Sequence, residues 1–157
     1  MSIEVVLYED KDADELRAML KEFSQEIYGY GTANLEQFLA QHWVVYLAKK
    51  GDEVIGFSSF MYNTYFGLRP PTVGNTYLYV RPAYRRGRAS YLLSVQAGYV
   101  SIDTDLPLET YYASDDSKVL SKRMKGTRLY EAWSYEPEDM AEAYKNTTRN
   151  DKLRKLT

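Results

Sequence analysis

The stretch from Thr76 to Tyr112 constrains the fold of this chain more than any other. It predicts a strand in NTYLYVRP, a glycine turn, a helix in RRGRASYLLSVQAGYV and a second strand in LPLETYYA. A strand–helix–strand unit of this length places its two strands parallel in one sheet, joined by a right-handed crossover. We therefore expect a sheet with at least one parallel pair, covered by helices.

The segments before this unit predict antiparallel strands and two helices. SIEVVLY predicts a first strand, and the apolar spacing in DADELRAMLKEFSQEI predicts a helix that begins with Asp12 and Glu15 as a capping box and ends at GYG. Asn34 is expected to cap a short second helix. WVVYLAKKGDEVIGFSSFMY predicts a hairpin that turns at the Gly51-Asp52 pair.

The segments after this unit predict a short helix ending at Gly126, a strand in TRLYEAWSY and a final helix opened by Pro137. The polar tail from about residue 146 is expected to fray. Altogether we expect an α/β domain with a mixed sheet of six to seven strands, about four flanking helices and splayed central parallel strands. Neither a composition break nor a repeat interrupts the chain, which predicts a single domain over residues 1–157.

Composition excludes several classes of protein. The chain has no cysteine and one histidine, which excludes thiolate sites and leaves little for any other metal site, so no metal is expected. A net charge of −2 makes a nucleic-acid partner unlikely. Without a long apolar run or a signal core, we expect no membrane partner and a cytoplasmic location. Sixteen tyrosines favour sheet packing, although a substrate groove or a homodimer interface also fits them.

The glycine turn resembles an anion site. A helix N-terminus carries unpaired N–H groups and about half a positive charge. Gly87 gives an anion close access to this backbone, and Arg85, Arg86 and Arg88 add charged donors. The turn lacks the lysine-serine ending of a phosphate-binding Walker loop and two of the three glycines of a dinucleotide fingerprint. A solvated arginine-rich turn is the alternative.

At these residues the sequence resembles the GNAT superfamily of N-acetyltransferases. The family motif [Q/R]-x-x-G-x-[G/A] lies between the fourth strand and the next helix, and Tyr84 to Ala89 match it as YRRGRA. Gly87 and Ala89 fit the motif, whereas Tyr84 replaces its first residue. The predicted order of elements also matches the family from Ser2 to about Tyr135.

The resemblance implies a site for acetyl-CoA as co-substrate. The pyrophosphate would meet the turn, whose predicted binding residues are Arg85, Arg86, Gly87, Arg88, Ala89 and Ser90. The pantetheine arm would pair with the backbone of Leu78, Tyr79 and Val80 as an added strand, where Asn75–Val80 and Pro107–Tyr112 splay apart. The loop after the second strand would contact it through Ser114 or Asp115.

The usual general acid of the family is missing. Many members place a tyrosine four residues before a glycine in the helix after strand five, and the corresponding residue before Gly126 is Lys122, next to Ser121. Tyr111, Tyr112 and Tyr130 are candidate substitutes, and Ser121 is a weaker one.

The base and the acceptor side are inferred in the same way. Glu109, on the strand expected to line the splay, is the candidate base, and an ordinary paired glutamate is the alternative. His42 precedes the second predicted strand, away from the expected cleft, so we assign it to packing. Tyr62, Tyr65 and Phe66 are expected to contact an acceptor amine, unless they only pack their loop.

Two functions therefore remain open. The first is an acetyltransferase that acts on a primary amine of a small molecule, peptide or protein in a ternary complex. The second is a weak or inactive module of the same fold that binds CoA or a partner, for which a phage-encoded or virion-associated protein is one candidate form. The missing tyrosine favours the second, and the intact turn favours the first.

Overall fold

The computed structural model describes residues 2–111 together with 137 and 138. The chain divides into two units, Met1–Met124 and Lys125–Thr157, and the elements below belong to the first. The predicted helix ending at Gly126 and the strand in TRLYEAWSY lie outside the described residues. Of the predicted final helix, Pro137 and Glu138 are described, and both are helical. The single domain over residues 1–157 stays a prediction.

The order of elements confirms the prediction over the described residues. The strands and helices, in chain order, are β1 Ile3–Leu7, α1 Ala13–Tyr28, α2 Leu35–Gln41, β2 Val44–Lys50, β3 Glu53–Asn63, β4 Thr72–Val80, α3 Arg88–Thr104 and β5 Leu108–Thr110. Short 3-10 turns lie at Asp10–Asp12, Tyr65–Gly67 and Pro82–Tyr84.

One mixed sheet runs through the unit in the order β1-β2-β3-β4-β5. The first four strands are antiparallel neighbours, and β4 and β5 are parallel. The mixed α/β sheet is therefore confirmed. Five strands and three α-helices lie among residues 2–111, and the predicted total of six to seven strands remains untested beyond them.

β4 is irregular in a way that the sequence did not predict. Ser59 pairs with Tyr77 and Phe60 with Asn75, so Thr76 is an extra residue, a β-bulge. The parallel pairing with β5 covers only Val73 to Asn75, whereas β4 runs on to Val80. Over the described residues, the edge of β4 that faces β5 is thus paired before the bulge and has no strand partner after it.

The two faces of the sheet carry separate cores. On one face, α1 and α2 pack through Phe23 and Leu35 against Phe57 and Tyr79. On the other face, α3 packs through a buried stripe that was predicted from its spacing: Ala89, Leu93, Ala97 and Val100. Truncating a fully buried leucine such as Leu93 to alanine costs about 2–5 kcal/mol. The helices therefore fix β4 from both sides.

The helix caps agree with the sequence except at α1. Asn34 caps α2 as predicted, since its Oδ1 accepts from the N–H of Gln37 at 2.9 Å. The predicted capping box at α1 is wrong. Asp12 is the N-cap but makes no capping hydrogen bond: its Oδ1 accepts from Lys49 Nζ at 2.6 Å, and its Oδ2 has no partner among the described residues.

Candidate functional site

The N-terminus of α3 is open. Gly87 is its N-cap, and no side chain caps the free N–H groups that follow. Ala89 is buried against the sheet, while Arg86, Gly87 and Arg88 are exposed, and Ser90 is half-buried. Arg86 has φ 62°, so the backbone turns in the left-handed region just before the glycine. Exposed amides and two exposed arginines together can hold an anion.

Gly87 leaves little room on its inner side. A Cβ built on it would lie 3.3 Å from the carbonyl oxygen of Tyr84 and would meet nothing else within 4 Å. Tyr84, the residue that departs from the family motif, points elsewhere: its hydroxyl donates to Glu53 at 2.8 Å. The departure therefore leaves the backbone of the turn accessible.

Arg85 is directed toward the sheet and α1. Its Nε donates to the carbonyl oxygen of Val80 at 2.8 Å, a terminal nitrogen contacts Glu26 of α1, and the guanidinium lies 5.3 Å from the centre of the Tyr79 ring. In this arrangement, Arg85 holds the end of β4 in place. Its predicted contact with pyrophosphate stays a prediction.

The edge of β4 beyond the bulge offers backbone groups to a ligand. The N–H of Arg81 donates to the carbonyl oxygen of Ile55. Hydrogen-bonded and non-hydrogen-bonded pairs alternate along an antiparallel ladder, so Tyr79 is the next residue of β4 whose backbone bonds to β3. The backbone groups of Leu78 and Val80 then face away from β3. The carbonyl oxygen of Val80 already accepts a hydrogen bond from Arg85. The alternation leaves Leu78, and not Tyr79, on the edge that an added strand would use.

Glu109 is buried in the middle of the β4–β5 pairing, where it pairs with Gly74. It is 6% exposed, and its carboxylate accepts from the Tyr65 hydroxyl and from Arg69. The Arg69 guanidinium also lies 3.7 Å from the centre of the Tyr65 ring. Burial raises the pKa of Glu109. The carboxylate of Glu109 is therefore paired in this structure, whether Glu109 serves as the predicted base or only as an ion-pair partner.

Tyr111 lies one residue beyond β5, on the same side as Glu109 by strand alternation. Its hydroxyl accepts from Asn63 Nδ2 at 3.0 Å. A Cβ on Gly74 would lie 3.1 Å from its ring, so the absence of a side chain at Gly74 makes room for Tyr111. The other candidates for acid or pantetheine contact, Tyr112, Ser114, Asp115, Ser121, Lys122 and Tyr130, lie outside the described residues.

A cleft of about 350 Å³ lies between helices α1 and α2 and the sheet. Thr76 and Tyr77, at the bulge of β4, form its sheet side together with Met61 of β3. The acceptor residues predicted from the sequence do not line it: Tyr62 and Phe66 are exposed, and Tyr65 is bound to Glu109.

His42 also lines this cleft, which differs from its sequence-based assignment away from the site. Its Nδ1 lies 2.7 Å from the carbonyl oxygen of Phe38, and the two rings stack at 4.2 Å. Burial lowers its pKa, so the imidazole is neutral near pH 7 and Nδ1 donates to Phe38. No feature of the sequence around His42 indicated this position, because it depends on how α2 lies on the sheet.

The described residues contain neither a membrane-spanning helix nor a cluster of metal ligands. No helix among them is long and apolar enough to cross a membrane. Over the same residues, no group of three or more histidine, aspartate or glutamate side chains is placed to hold a metal ion.

Sequence comparisons found no family model and no curated protein that matches the chain. Solved structures do match it. An integron cassette protein from the mobile metagenome of V. cholerae has a TM-score of 0.65 at 15% identity, over 93% of this chain and 99% of that one. A ribosomal-protein-alanine N-acetyltransferase from Brucella melitensis biovar Abortus 2308 has a TM-score of 0.64 at 16% identity, over 86% and 99%.

An aminoglycoside N-acetyltransferase, AAC(6')-Iy in complex with CoA, has a TM-score of 0.64 at 12% identity, over 86% of this chain and 94% of that one. The chain therefore has the fold of these acetyltransferases. The resemblance to the GNAT superfamily that the turn motif predicted is confirmed at the level of the fold.

Proposed function

We propose that this protein is an acetyl-CoA-dependent N-acetyltransferase that transfers the acetyl group to a primary amine in a ternary complex. The observation that carries the proposal is the series of features along β4. The bulge at Thr76 borders the cleft, the edge at Leu78 is free of a described strand partner, and the open N-terminus of α3 follows at Gly87.

Each feature suits one part of acetyl-CoA. The amides that open α3, with Arg86 and Arg88, suit the pyrophosphate, because charged phosphate oxygens bind helix N-termini. The backbone of Leu78 suits the amides of the pantetheine arm, which would add to the sheet as a strand. The thioester would then lie near Thr76, beside the cleft. We therefore keep pantetheine binding as the proposed role of the segment from Leu78 to Val80. Within it, Leu78 is the residue whose backbone groups face the free edge of β4.

The chemistry needs no metal. The amine nitrogen attacks the thioester carbonyl carbon, the C–S bond breaks, the amine loses a proton and CoA leaves with one. A backbone N–H on the open edge of β4 suits the developing oxyanion. Tyr111, whose ring lies next to Gly74 of β4 and whose hydroxyl contacts Asn63, is the acid that we favour. Glu109 is the base that we favour, and this role requires Arg69 to release the carboxylate.

The structural neighbours support acetyl transfer in general. One neighbour is described as an acetyltransferase of ribosomal-protein alanine, and others act as aminoglycoside acetyltransferases, one of them solved with sisomicin. These acceptors are amines on a protein and on small molecules, which is the range proposed for this chain. The cytoplasmic location, the homodimer and a phage origin remain predictions.

Calorimetric titration with acetyl-CoA, followed by mass spectrometry of a panel of amines and peptides incubated with the protein, tests the proposal. We expect saturable binding and the addition of one acetyl group to at least one primary amine. Binding without any acetylated product would favour the module without turnover. The absence of acetyl-CoA binding would overturn the proposal.

A further inference from the structure

The cleft beside the bulge is lined by uncharged groups. None of the described residues that line it is aspartate, glutamate, lysine or arginine. Its walls carry aromatic rings from Phe23, Tyr28, Phe38 and Tyr77, together with uncharged amides and hydroxyls such as those of Asn34, Gln37 and Gln41. Such a surface binds flat apolar groups by burial and by ring packing, whereas it offers a polycation no opposite charge.

The wall also contains two polar atoms that lack partners. Nε2 of His42 and Oγ1 of Thr76 are buried and have no hydrogen-bond partner among the described residues. The imidazole nitrogen is an acceptor when Nδ1 donates to Phe38, and the threonine hydroxyl both donates and accepts. A buried polar group without a partner is costly, and both atoms belong to residues that line the cleft.

The hydroxyl groups at the cleft have the same uncharged character. Tyr28 and Tyr77 bring their hydroxyl oxygens within 3.5 Å of each other, and this contact raises the pKa of Tyr77 to about 12. Tyr77 is therefore a neutral phenol across the physiological range. An amine in such a wall is held more readily as the free base than as the ammonium, because burial in uncharged surroundings disfavours the charged form. The free base is also the form that attacks a thioester.

We propose that this cleft binds a monoamine in which the amine is attached to one flat apolar body, as in an aryl-alkyl amine, and that it discriminates against polycationic acceptors. The inference rests on the proposed function, because it takes this cleft as the acceptor side of the acetyltransferase. The amine end would lie toward Thr76 and the bulge, and the flat body between the rings of α1, α2 and β4.

The single histidine of the chain makes a direct test available. In tag-free protein labelled with ¹⁵N-histidine, the imidazole signals of His42 report on the cleft without any need for turnover. We expect tryptamine to shift these signals saturably and spermine to leave them unchanged at the same concentration and constant ionic strength. A second titration with acetyl-CoA present measures whether both ligands bind together.

A matched pair of variants locates the binding. Ala33 lines the cleft, and Ala18 lies on the exposed face of α1. Ala33→Leu should fill the cleft and weaken the affinity for tryptamine at least about tenfold, as expected for overpacking a well-fitted site. Ala18→Leu should leave that affinity unchanged. Circular dichroism checks that both variants fold.

The outcomes separate this inference from the proposed function. If the protein binds tryptamine but not acetyl-CoA, the result would support the cleft as an amine-binding site and would reject the proposed acetyltransferase function. A protein that binds acetyl-CoA, but whose His42 signals respond to spermine and not to tryptamine, would overturn the proposed acceptor class alone. Tryptamine affinity that is equal in wild type and a folded Ala33→Leu variant would place the binding outside the cleft and would also overturn it.

Discussion

Arg85 donates from Nε to the carbonyl oxygen of Val80 at 2.8 Å and contacts Glu26 with a terminal nitrogen, so one side chain ties the end of β4 to α1. The hydrogen bond from Arg85 lowers the pKa of Glu26. Of the three arginines in the turn, this one is thus engaged within the protein. Arg86 and Arg88 are exposed and make no such contact with the described residues, so they are the arginines that can bind an anion.

This division of roles predicts different results for two arginine variants. Arg88→Ala should weaken acetyl-CoA binding about tenfold or more, in the range of a lost hydrogen bond to a charged group. Arg85→Ala should chiefly lower the free energy of unfolding, because it frees Glu26 and the end of β4. Calorimetry with acetyl-CoA and urea unfolding of both variants check this. A larger loss of affinity in Arg85→Ala would restore the pyrophosphate role that the motif implied.

Gly87→Glu should abolish acetyl-CoA binding while the fold survives. A Cβ at this position makes one close contact, 3.3 Å from Tyr84 O, which a small shift of the turn relieves, but a carboxylate there would occupy the anion site at the start of α3 and repel the anion. Calorimetric titration measures the affinity, and thermal unfolding confirms the fold.

Gly98→Glu is the matched control for this variant. Gly98 lies within α3, and a Cβ built on it meets nothing within 4 Å. The same substitution is therefore expected to keep acetyl-CoA affinity and to raise helix propensity. A folded Gly87→Glu variant that binds as well as Gly98→Glu would reject the turn as the pyrophosphate site.

Glu109→Gln should lower turnover with little change in acetyl-CoA affinity. If Glu109 takes the amine proton, directly or through water, the acidic limb of the pH–rate profile should flatten in the variant. Because burial raises the pKa of Glu109, that limb in the wild type should lie above the ordinary range of a glutamate. An unaltered profile would identify Glu109 as an ion-pair partner of Arg69 only.

His42 should make stability depend on pH in mildly acidic solution. Its pKa in the fold is lowered by burial, so between that value and the ordinary 6.5 the unfolded chain binds the additional proton. The free energy of unfolding should therefore fall as the pH drops through this window. Urea unfolding of the wild type and His42→Gln at pH 7.5 and 5.5 checks it, with a smaller difference expected in the variant. Equal differences would mean that His42 titrates normally.

Local patterns predicted most of the fold from the sequence. The apolar spacing of α1, the Asn34 cap, the Gly51-Asp52 turn and the strand–helix–strand unit each depend on neighbouring residues, and each is confirmed. The capping box at Asp12 was wrong: Lys49, far along the chain, holds one carboxylate oxygen, and neither oxygen accepts from the start of the helix. A short motif does not contain information on such a distant partner.

The site was less predictable for the same physical reason. The bulge at Thr76 is a mismatch between two strands and is visible only once their register is known. His42 lies in the cleft because α2 crosses the sheet near Tyr77, which no spacing in the sequence specifies. Arg85 looks like its neighbours in the motif, yet its direction depends on Glu26 of a distant helix. Local chemistry predicted which residues are present, and tertiary contacts decide which of them face a ligand.

Tyr111 provides the test of catalysis. Its hydroxyl accepts from Asn63, and its ring lies over Gly74, close to where the β4–β5 pairing ends. Thiolate release is slower without a positioned acid, so if Tyr111 supplies the proton, Tyr111→Phe should cut turnover at least about tenfold, at the low end of general-acid effects. The sequence predicts that the strand continues to Tyr112 and that only one of the two tyrosines faces the cleft, so Tyr112→Phe should leave turnover unchanged. Steady-state acetylation of the best amine by the wild type and both variants decides this. If both variants match an active wild type, the acid lies elsewhere, and if only Tyr112→Phe is impaired, the two assignments are exchanged.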